Sequence, residues 1–317
     1  MSGIPEISVI INNYNYGQYL PDAINSALEQ QDVNAEVIVV DDGSTDSSHC
    51  VISALGARIR PHFQANGGQA SAINAGVALA QAPIMAFLDA DDWFLPGKLR
   101  AVLDAFAANP EAGLVYHRLQ PTRPDGSHAF APIPRTLCRG DLAPRLAQSG
   151  GRWPFPMTSS LAVRRSCWDE AGNIPKHFAI SADAWLTGVL PFLTPVVALP
   201  QPLACYRIHD NAWYRAKDDQ AMLSKRMSHW EITAQVTNEV LAARGRDIRV
   251  SIEDNFAYQV AAARLGQIGA PGLMSLAFRG LADTGEPNLL RRVKHTMGAL
   301  ADVMQDSSAS SAGTRTQ

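Results

Sequence analysis

The sequence predicts an α/β fold, in which a mostly parallel sheet is flanked by helices, followed by a C-terminal extension made of helices. Two observations lead to this prediction. Short apolar runs alternate with segments of helical spacing near the amino terminus, as in a doubly wound sheet. From about residue 218 the apolar residues recur at helical spacing. We therefore expect an α/β domain over residues 1–217, a helical extension over 218–304 and a disordered tail over 305–317.

Three apolar runs, at residues 7–11, 36–40 and 84–88, are predicted to be strands. Continuous apolar runs of this length are typical of parallel strands that are buried on both faces. Helical spacing separates them, first over 19–28 and then in an Ala-rich segment over 70–78. Ligands bind such sheets beyond the carboxyl ends of the strands. Each run is followed by polar residues, so the sequence predicts a site at that edge.

The middle of the chain is less regular. Residues 120–157 are rich in proline and glycine and are interpreted as loops. A short strand is predicted over 159–163, and the segment 196–206, which contains Pro200 and Pro202, is predicted to be an interrupted or edge strand. The last dozen residues are rich in Ser and Thr and offer no apolar side chains to pack, which predicts disorder.

Composition excludes several classes of protein. The chain has 27 Lys and Arg against 30 Asp and Glu, a net charge of -3, which argues against nucleic-acid binding through a broad basic surface. No apolar run approaches the length of a membrane span, and the amino terminus does not resemble a secretory signal peptide. Four widely spaced cysteines without a CxxC pair favour free, mostly buried thiols and a cytoplasmic protein.

The segment FLDADDW, at the end of the third predicted strand, carries the strongest local signal. Its three carboxylates, Asp89, Asp91 and Asp92, lie too close together to ionise freely unless a cation or hydrogen bonds compensate them. A divalent metal that prefers oxygen ligands, Mg²⁺ or Mn²⁺, would supply that compensation. A solvated acidic turn is the alternative interpretation.

Polar residues also follow the other two strands. In VVDDGSTD, Gly43 permits a tight turn and the Ser, Thr and Asp residues after it can cap a helix. Such a turn does not require two aspartates at the strand end. In NNYNYG, an aromatic side chain could stack on a nucleotide base.

Taken together, four segments resemble the donor-binding half of the family-2 inverting glycosyltransferases, which have the GT-A fold. The segments ISVIINNYNYGQYL, EVIVVDDGSTD, NGGQASAINAG and FLDADDWFLPGKL occur in the order and spacing of that family. Weaker similarity continues through SSLAVRRSCWDEAG, SADAWL and YRIHDN, to about residue 215. The last hundred residues carry no signature of the family.

The resemblance implies roles for individual residues. Asp183, in SADAWL, matches the catalytic base. Asp91 matches the second aspartate of the DxD motif, which contacts the metal that bridges the diphosphate, and His209 matches a late position near that metal. Asp92 and Arg207 are implied in contacts to the donor sugar or the diphosphate. The implied nucleotide-binding residues are Tyr14, Asp42, which matches the aspartate that hydrogen-bonds the base, Asn66, Gly68 and Asp89.

The chain departs from the family pattern at three places. Asn12 or Asn13 replaces the usual proline of the first motif. Ile73 replaces an arginine that many members carry, which removes one possible phosphate contact. Ala182 replaces the usual glutamate before the base, which puts a supporting carboxylate in doubt.

The resemblance implies a metal-dependent transferase that moves a sugar, by single displacement with inversion, from a nucleotide-diphospho-sugar to a glycan or lipid-linked acceptor in polysaccharide and cell-envelope biosynthesis. A UDP-sugar is the favoured donor. A binding module that keeps the fold without turnover is the alternative. A haloacid-dehalogenase-type phosphohydrolase fits less well because Trp93 stands where that family needs a small residue.

The last predicted helix, over 287–304, has basic residues beside its apolar stripe. It would either lie peripherally on the inner face of an anionic membrane or pack on the catalytic domain with a solvated basic face.

Overall fold

The computed structural model describes residues 3–178, 181–209, 220–267 and 269–313. The chain divides into two compact units. The first contains Met1–Asp141 and Phe155–Tyr214, and the second contains Leu142–Pro154 and Arg215–Gln317. The second unit begins close to the boundary expected at 218, but it also includes residues 142–154, which the sequence did not assign to it.

An eight-stranded sheet forms the first unit, with the strand order β3-β2-β1-β4-β7-β6-β8-β5. Strands β1 to β4 are mutually parallel where they pair, and β7 runs antiparallel to both of its neighbours. The mostly parallel sheet flanked by helices, with helices at the C-terminus, confirms the predicted α/β architecture. The strands are β1 (Ile7–Asn13), β2 (Ala35–Asp41), β3 (Arg60–Phe63), β4 (Ile84–Asp89), β5 (Trp93–Phe94), β6 (Leu114–Thr122), β7 (Leu161–Arg164) and β8 (Val196–Arg207).

Helices cover both faces of this sheet and continue into the second unit. In α1, the buried residues Leu20, Ala23, Ile24 and Ala27 recur at the spacing that puts them on one helix face. The helices are α1 (Leu20–Leu28), α2 (Ser48–Ala54), α3 (Gln69–Leu79), α4 (Lys98–Ala108), α5 (Ala143–Gln148), α6 (Arg165–Ala171), α7 (Ala182–Val189), α8 (Gln220–Ala243), α9 (Phe256–Arg264), α10 (Leu273–Ala282) and α11 (Leu289–Gly313).

The core lies on both faces of the central strands. Ile7, Val9 and Ile11 of β1 pack in one cluster with α1 and α4. Ile10 faces the other way, where Gly76 of α3 approaches so closely that an added Cβ would lie 2.4 Å from the Ile10 side chain. Because both faces are covered, these strands are apolar throughout, as the sequence predicted.

The structure differs from the sequence prediction in the middle of the chain. Strand β6 extends to Thr122 and lies inside the sheet, although residues from 120 were interpreted as loops. Strand β8 lies between β6 and β5, so it is not an edge strand. Its pairing with β6 shifts register on both sides of Arg118 of β6. These shifts accommodate Pro200 and Pro202 of β8, which have no backbone N–H to donate to the neighbouring strand.

The second unit is helical. Leu223 and Met227 of α8 pack on Ala261 and Ala262 of α9. Arg152 forms an ion pair with Asp283, which joins the segment 142–154 to the C-terminal helices. Among the residues that the structure describes, no helix is both long and apolar enough to cross a membrane.

The last helix extends into the segment that we expected to be disordered. Helix α11 continues to Gly313, whereas the sequence predicts disorder from 305. Arg264 of α9 forms a 2.7 Å ion pair with Asp306, which gives this part of the helix a partner that its own composition does not reveal. Residues 314–317 lie outside the described residues.

Candidate functional site

The carboxyl ends of β1, β2 and β4 meet at one edge of the sheet. The strand register puts Asn12 opposite Asp89 and Asn13 opposite Asp41. Each asparagine uses its amide to bind its neighbour: Asn12 Nδ2 donates to Asp89 Oδ1 at 3.0 Å, and Asn13 Nδ2 donates to Asp41 Oδ1 at 2.7 Å. The two residues that replace the usual proline of the first motif therefore hold the acidic strand ends together.

Asp89, Asp91 and Asp92 crowd the turn after β4. Burial and the neighbouring Asp91 charge raise the pKa of Asp89 to about 7. The same two causes, with a contribution from Asp89, raise the pKa of Asp92 well above its usual range. The carboxylates therefore disfavour each other's ionisation, as the sequence predicted, and a cation near them would favour it.

Asp92 is buried and anchors this turn. Its Oδ2 accepts a 2.6 Å hydrogen bond from the Ser159 hydroxyl, and its Oδ1 accepts a 2.9 Å hydrogen bond from the Arg207 backbone N–H. Ser159 Oγ also accepts from the Asp89 N–H, and Ser159 O accepts from Nζ of the fully buried Lys98. Ser159 thus connects the end of β4, the Asp92 carboxylate and the Lys98 amine.

The end of β8 brings two further predicted residues to the acidic turn. His209 Nε2 lies 2.9 Å from Asp91 Oδ2, and the His209 ring packs against Tyr16 and Tyr19. Arg207 donates from Nε to the Asp91 carbonyl and forms a 2.7 Å ion pair with Asp22. Asp210 and Asn211, which complete the sequence YRIHDN, lie outside the described residues.

A second group of contacts surrounds Asp42. Its carboxylate is only 2% exposed and accepts three hydrogen bonds, from Gln64 Nε2 at 2.6 Å, Gly67 N at 2.9 Å and Gly68 N at 2.7 Å. Gly68 has a φ of +85°, which favours glycine. Through these three hydrogen bonds, Asp42 holds the backbone of the third motif in place.

The loop that carries Tyr14 is fixed to the loop after β2. Asn15 Oδ1 accepts from the Thr45 N–H at 2.8 Å, and Asp46 Oδ2 accepts from the Gly17 N–H at 2.8 Å. Tyr14 itself is exposed, as is Asn66 in the third motif. Two side chains of the predicted nucleotide site are therefore accessible to a ligand on a loop whose backbone is held in place.

Asp183 lies in the first turn of α7 and is partly exposed. Burial of the carboxyl raises the pKa of Asp183 to about 6, although hydrogen bonds from the backbone act in the opposite direction. Helix α7 is tied to the acidic turn by Gln69, whose Nε2 donates to Asp89 Oδ1 at 2.9 Å and whose Oε1 accepts from the Ala182 N–H at 3.0 Å. Asp183 also raises the pKa of Asp89, which puts the two carboxylates within electrostatic reach of each other.

Sequence reasoning missed three residues of this site. Gln69, Ser159 and Lys98 make the contacts that join its parts. All three lie within segments that carry the family resemblance, but the sequence did not assign them a role because their partners are distant in the chain. The departures at Ile73 and Ala182 are both buried. Ile73 belongs to the core, and the backbone of Ala182 serves as the donor to Gln69.

The residues present fit a divalent metal that arrives with a phosphorylated ligand. Among the described residues, no group of three or more His, Cys, Asp and Glu side chains could hold a metal alone. Asp91 and His209 nevertheless offer a carboxylate oxygen and an imidazole nitrogen beside two carboxylates that resist ionisation. Mg²⁺ is commonly bound through one or two carboxylates together with substrate phosphates, which agrees with this donor set.

Comparison with solved structures defines the class of protein. The fold is similar to that of TarS 1–349 from Staphylococcus aureus, solved in complex with UDP (TM-score 0.56, 15% identity, 97% of this chain and 92% of that one). It is also similar to the mannosyltransferase PcManGT from Pyrobaculum calidifontis, solved with GDP-Man and Mn²⁺ (TM-score 0.50, 18% identity, 97% and 87%). The fold is therefore GT-A.

Sequence comparison defines the family. The profile of glycosyl transferase family 2 matches residues 8–170. An uncharacterised glycosyltransferase of Nostoc sp. is 38% identical over 261 residues, which are 80% of this chain and 81% of the relative. The chondroitin synthase of Pasteurella multocida is 37% identical over 127 residues, 39% of this chain and only 13% of that much longer protein. This protein belongs to glycosyl transferase family 2 and is a transferase.

Proposed function

We propose that the protein transfers a sugar from a nucleotide-diphospho-sugar, preferably a UDP-sugar, to an acceptor hydroxyl in a single displacement with inversion. The non-catalytic binding module loses its support because the chain is a family member with an intact acidic turn and an acid in the first turn of α7. The observation that carries the proposal is the bridge made by Gln69, which connects Asp89 to the helix that bears Asp183.

The nucleotide binds at the ends of β1 and β2. Asp42 accepts a hydrogen bond from the imide N–H of uracil, and Tyr14 stacks on the base. Asn66 and the backbone at Gly68 line the same site, and Asp89 contacts the ribose side. A site built around one such hydrogen bond discriminates against bases that leave the Asp42 carboxylate without this donor. The UDP and UDP-GlcNAc complexes of TarS support a uridine donor.

The diphosphate binds at the acidic turn. Asp91 and His209 would hold a divalent metal, Mn²⁺ or Mg²⁺, which when bound stabilises the charge that develops on the leaving diphosphate. Asp92 orients the turn through its bonds to Ser159 and Arg207. Arg207 places a positive charge beside the diphosphate. Within the described chain its hydrogen bonds to Asp91 and Asp22 use two of its five N–H donors, which leaves others for phosphate oxygens. The GDP-Man and Mn²⁺ complex of PcManGT supports the metal.

Asp183 takes the proton of the acceptor hydroxyl. A hydroxyl is a poor nucleophile and needs a general base on the face of the sugar opposite the leaving group. The raised pKa of Asp183 makes it a stronger base than an ordinary aspartate while keeping it ionised at neutral pH. A single carboxylate suffices for an inverting displacement.

The acceptor is a glycan or a lipid-linked glycan in the cytoplasm. The similarity to part of a chondroitin synthase supports a role in polysaccharide synthesis. The four cysteines are thiols rather than disulfides, and Cys138, Cys167 and Cys205 are buried, which supports the reducing environment expected from the sequence.

The direct test is a panel of donors. Purified protein is incubated with UDP-, GDP- and dTDP-sugars, each with and without Mn²⁺, and nucleotide release and thermal stabilisation are measured. We expect metal-dependent stabilisation and slow hydrolysis with uridine donors above all. Tighter binding of GDP than of UDP in calorimetry would contradict the proposed base recognition, and the absence of any metal-dependent response would contradict the proposed function.

A further inference from the structure

The second unit exposes an unusual number of large apolar side chains on α10 and α11. Met274 is 77% exposed, Phe278 70%, Leu290 82% and Met297 64%. Monomeric proteins rarely leave such side chains clustered at the surface unless the surface binds something. The proposed transfer reaction does not involve these residues, so their exposure requires a separate explanation.

On α10 the exposed apolar residues form a stripe. Met274, Phe278 and Leu281 are spaced by four and three residues, so they share one helix face. Leu276 and Gly280 are buried on the opposite face, where Gly280 lies against Thr296 of α11. The helix is therefore apolar on both sides, although only one side has a partner within the chain.

Helix α11 repeats this arrangement. Leu290, Val293, Met297 and Met304 are exposed at spacings of three, four and seven residues, which again define one face. Thr296 and Val303 are buried on another. We call these two stripes together the apolar face of the α10–α11 pair.

The charges around the apolar face are mostly cationic. Between residues 273 and 304 the acidic side chains are Asp283, Glu286 and Asp302; the first two are buried and Asp302 is exposed. Asp283 is paired with Arg152. The cationic side chains of Arg279, Arg291 and Lys294 reach the surface of the two helices. The exposed cations beside the apolar face therefore outnumber the one exposed acid.

We propose that the apolar face of the α10–α11 pair binds the surface of an anionic lipid bilayer, with both helices lying in the interface. Interfacial helices bury an apolar face at the boundary between headgroups and acyl chains and keep Lys and Arg at the headgroups. Anionic lipids attract each nearby Lys or Arg. The observed pattern, large apolar side chains flanked by more cationic than acidic exposed side chains, matches both requirements.

A second copy of this chain is a less suitable occupant. A symmetric interface would bring two sets of these cations together, because a twofold contact uses the same patch on both subunits. Among the described residues from 273 to 304, Asp302 is the one exposed acidic side chain, so it would neutralise only part of this positive charge.

The test is co-sedimentation of the full chain with phosphatidylcholine vesicles, with and without phosphatidylglycerol. We expect binding to the anionic vesicles that weakens as salt is added. Phe278→Ser should reduce the partition coefficient about tenfold, since a buried Phe contributes that much on transfer from water. Arg291→Glu with Lys294→Glu should reduce it at least fivefold. Ile4→Ser, an exposed apolar position in the other unit, and Lys225→Glu, an exposed cation on α8, serve as matched controls.

Two results with vesicles would overturn the proposal: no binding to anionic vesicles, or equal binding to neutral ones. A dimer in light scattering that Phe278→Ser dissociates would also overturn it, because it would identify the face as an interface between copies. The measurement needs no nucleotide sugar, so its result does not depend on the proposed function.

Discussion

The hydroxyl of Ser159 donates a 2.6 Å hydrogen bond to the buried Asp92 carboxylate, although the two residues are 67 positions apart in the chain. The same hydroxyl accepts from the Asp89 N–H, and the carbonyl of Ser159 accepts from Lys98. Ser159 is fully buried and fixes the turn that carries Asp91 from within the fold. The first prediction concerns this positioning role.

Ser159→Ala should lower stability by about 1–3 kcal/mol, because it leaves an acceptor of Asp92 buried and unpaired. It should also reduce kcat by about tenfold or more, since small displacements of reacting groups cost rate steeply. Denaturant unfolding and donor turnover measure the two effects, and Ser159→Thr, which keeps the hydroxyl, should recover part of the activity.

Ser160→Ala is the matched control for this variant. Ser160 lies in the same short 3₁₀ helix and is equally buried, but its hydroxyl donates only within the turn, to the Met157 carbonyl. Equal losses of activity in the two variants would show that the bond to Asp92 has no particular role.

Asp91→Asn should abolish metal-dependent binding of UDP while the fold remains intact. The melting temperature of the free protein should not fall, because the substitution removes a charge that disfavours ionisation of Asp89 and Asp92. Calorimetry with and without Mn²⁺ checks the binding, with Asp104→Asn on the exposed face of α4 as the control. Unchanged metal dependence would remove Asp91 from the diphosphate site.

Asp183→Asn should reduce kcat by about 10²–10⁴, because asparagine preserves the shape of the side chain but cannot accept the proton. Donor affinity should remain near that of the wild type, the reverse of the result expected for Asp91→Asn. Asp169→Asn, at an exposed position on α6, controls for the loss of one charge. If the variant retained most of its transferase activity, the base would have to be sought elsewhere.

The pH profile provides an independent test of the same base. Burial raises the pKa of Asp183 to about 6, and only the deprotonated carboxylate can take a proton. We therefore expect kcat to be constant above that pH and to fall about tenfold for each unit below it. The residual activity of Asp183→Asn should lack this limb, and a wild-type profile that stays flat down to pH 5 would contradict the assignment.

Asp42→Ala should weaken both the fold and UDP binding. The substitution leaves the N–H groups of Gly67 and Gly68 and the amide of Gln64 without their acceptor, which should cost about 1–3 kcal/mol of stability. Thermal unfolding and UDP titration measure the two losses. A variant with normal stability and lost UDP binding would show that Asp42 acts on the ligand alone.

Local pattern predicted the central strands and their acidic ends well. The runs at 7–11, 36–40 and 84–88 are apolar because both faces of the sheet are covered, and this requirement is visible in any short window of sequence. The end of β6 was predicted wrongly. Of the two alternatives for β8, the structure shows the interrupted strand and not the edge strand, because its pairing with β6 shifts register at the prolines. The roles of the ten site residues carried over from the family remain predictions, of which the experiments above test those of Asp42, Asp91 and Asp183.

The sequence by itself determined the family, the parallel sheet and the acidic residues at its carboxyl edge, because these depend on periodicity and on motifs within a few residues. Only the tertiary structure decided what holds that edge together. Gln69 meets Ala182 across 113 positions, and the Arg207 backbone meets Asp92 across 115. The first contact joins α3 to the start of α7, and the second joins the end of β8 to the turn after β4, so neither follows from the spacing within one motif. The apolar face of α10 and α11 was likewise revealed by burial, since helical periodicity alone cannot tell a stripe that is covered from one that is exposed.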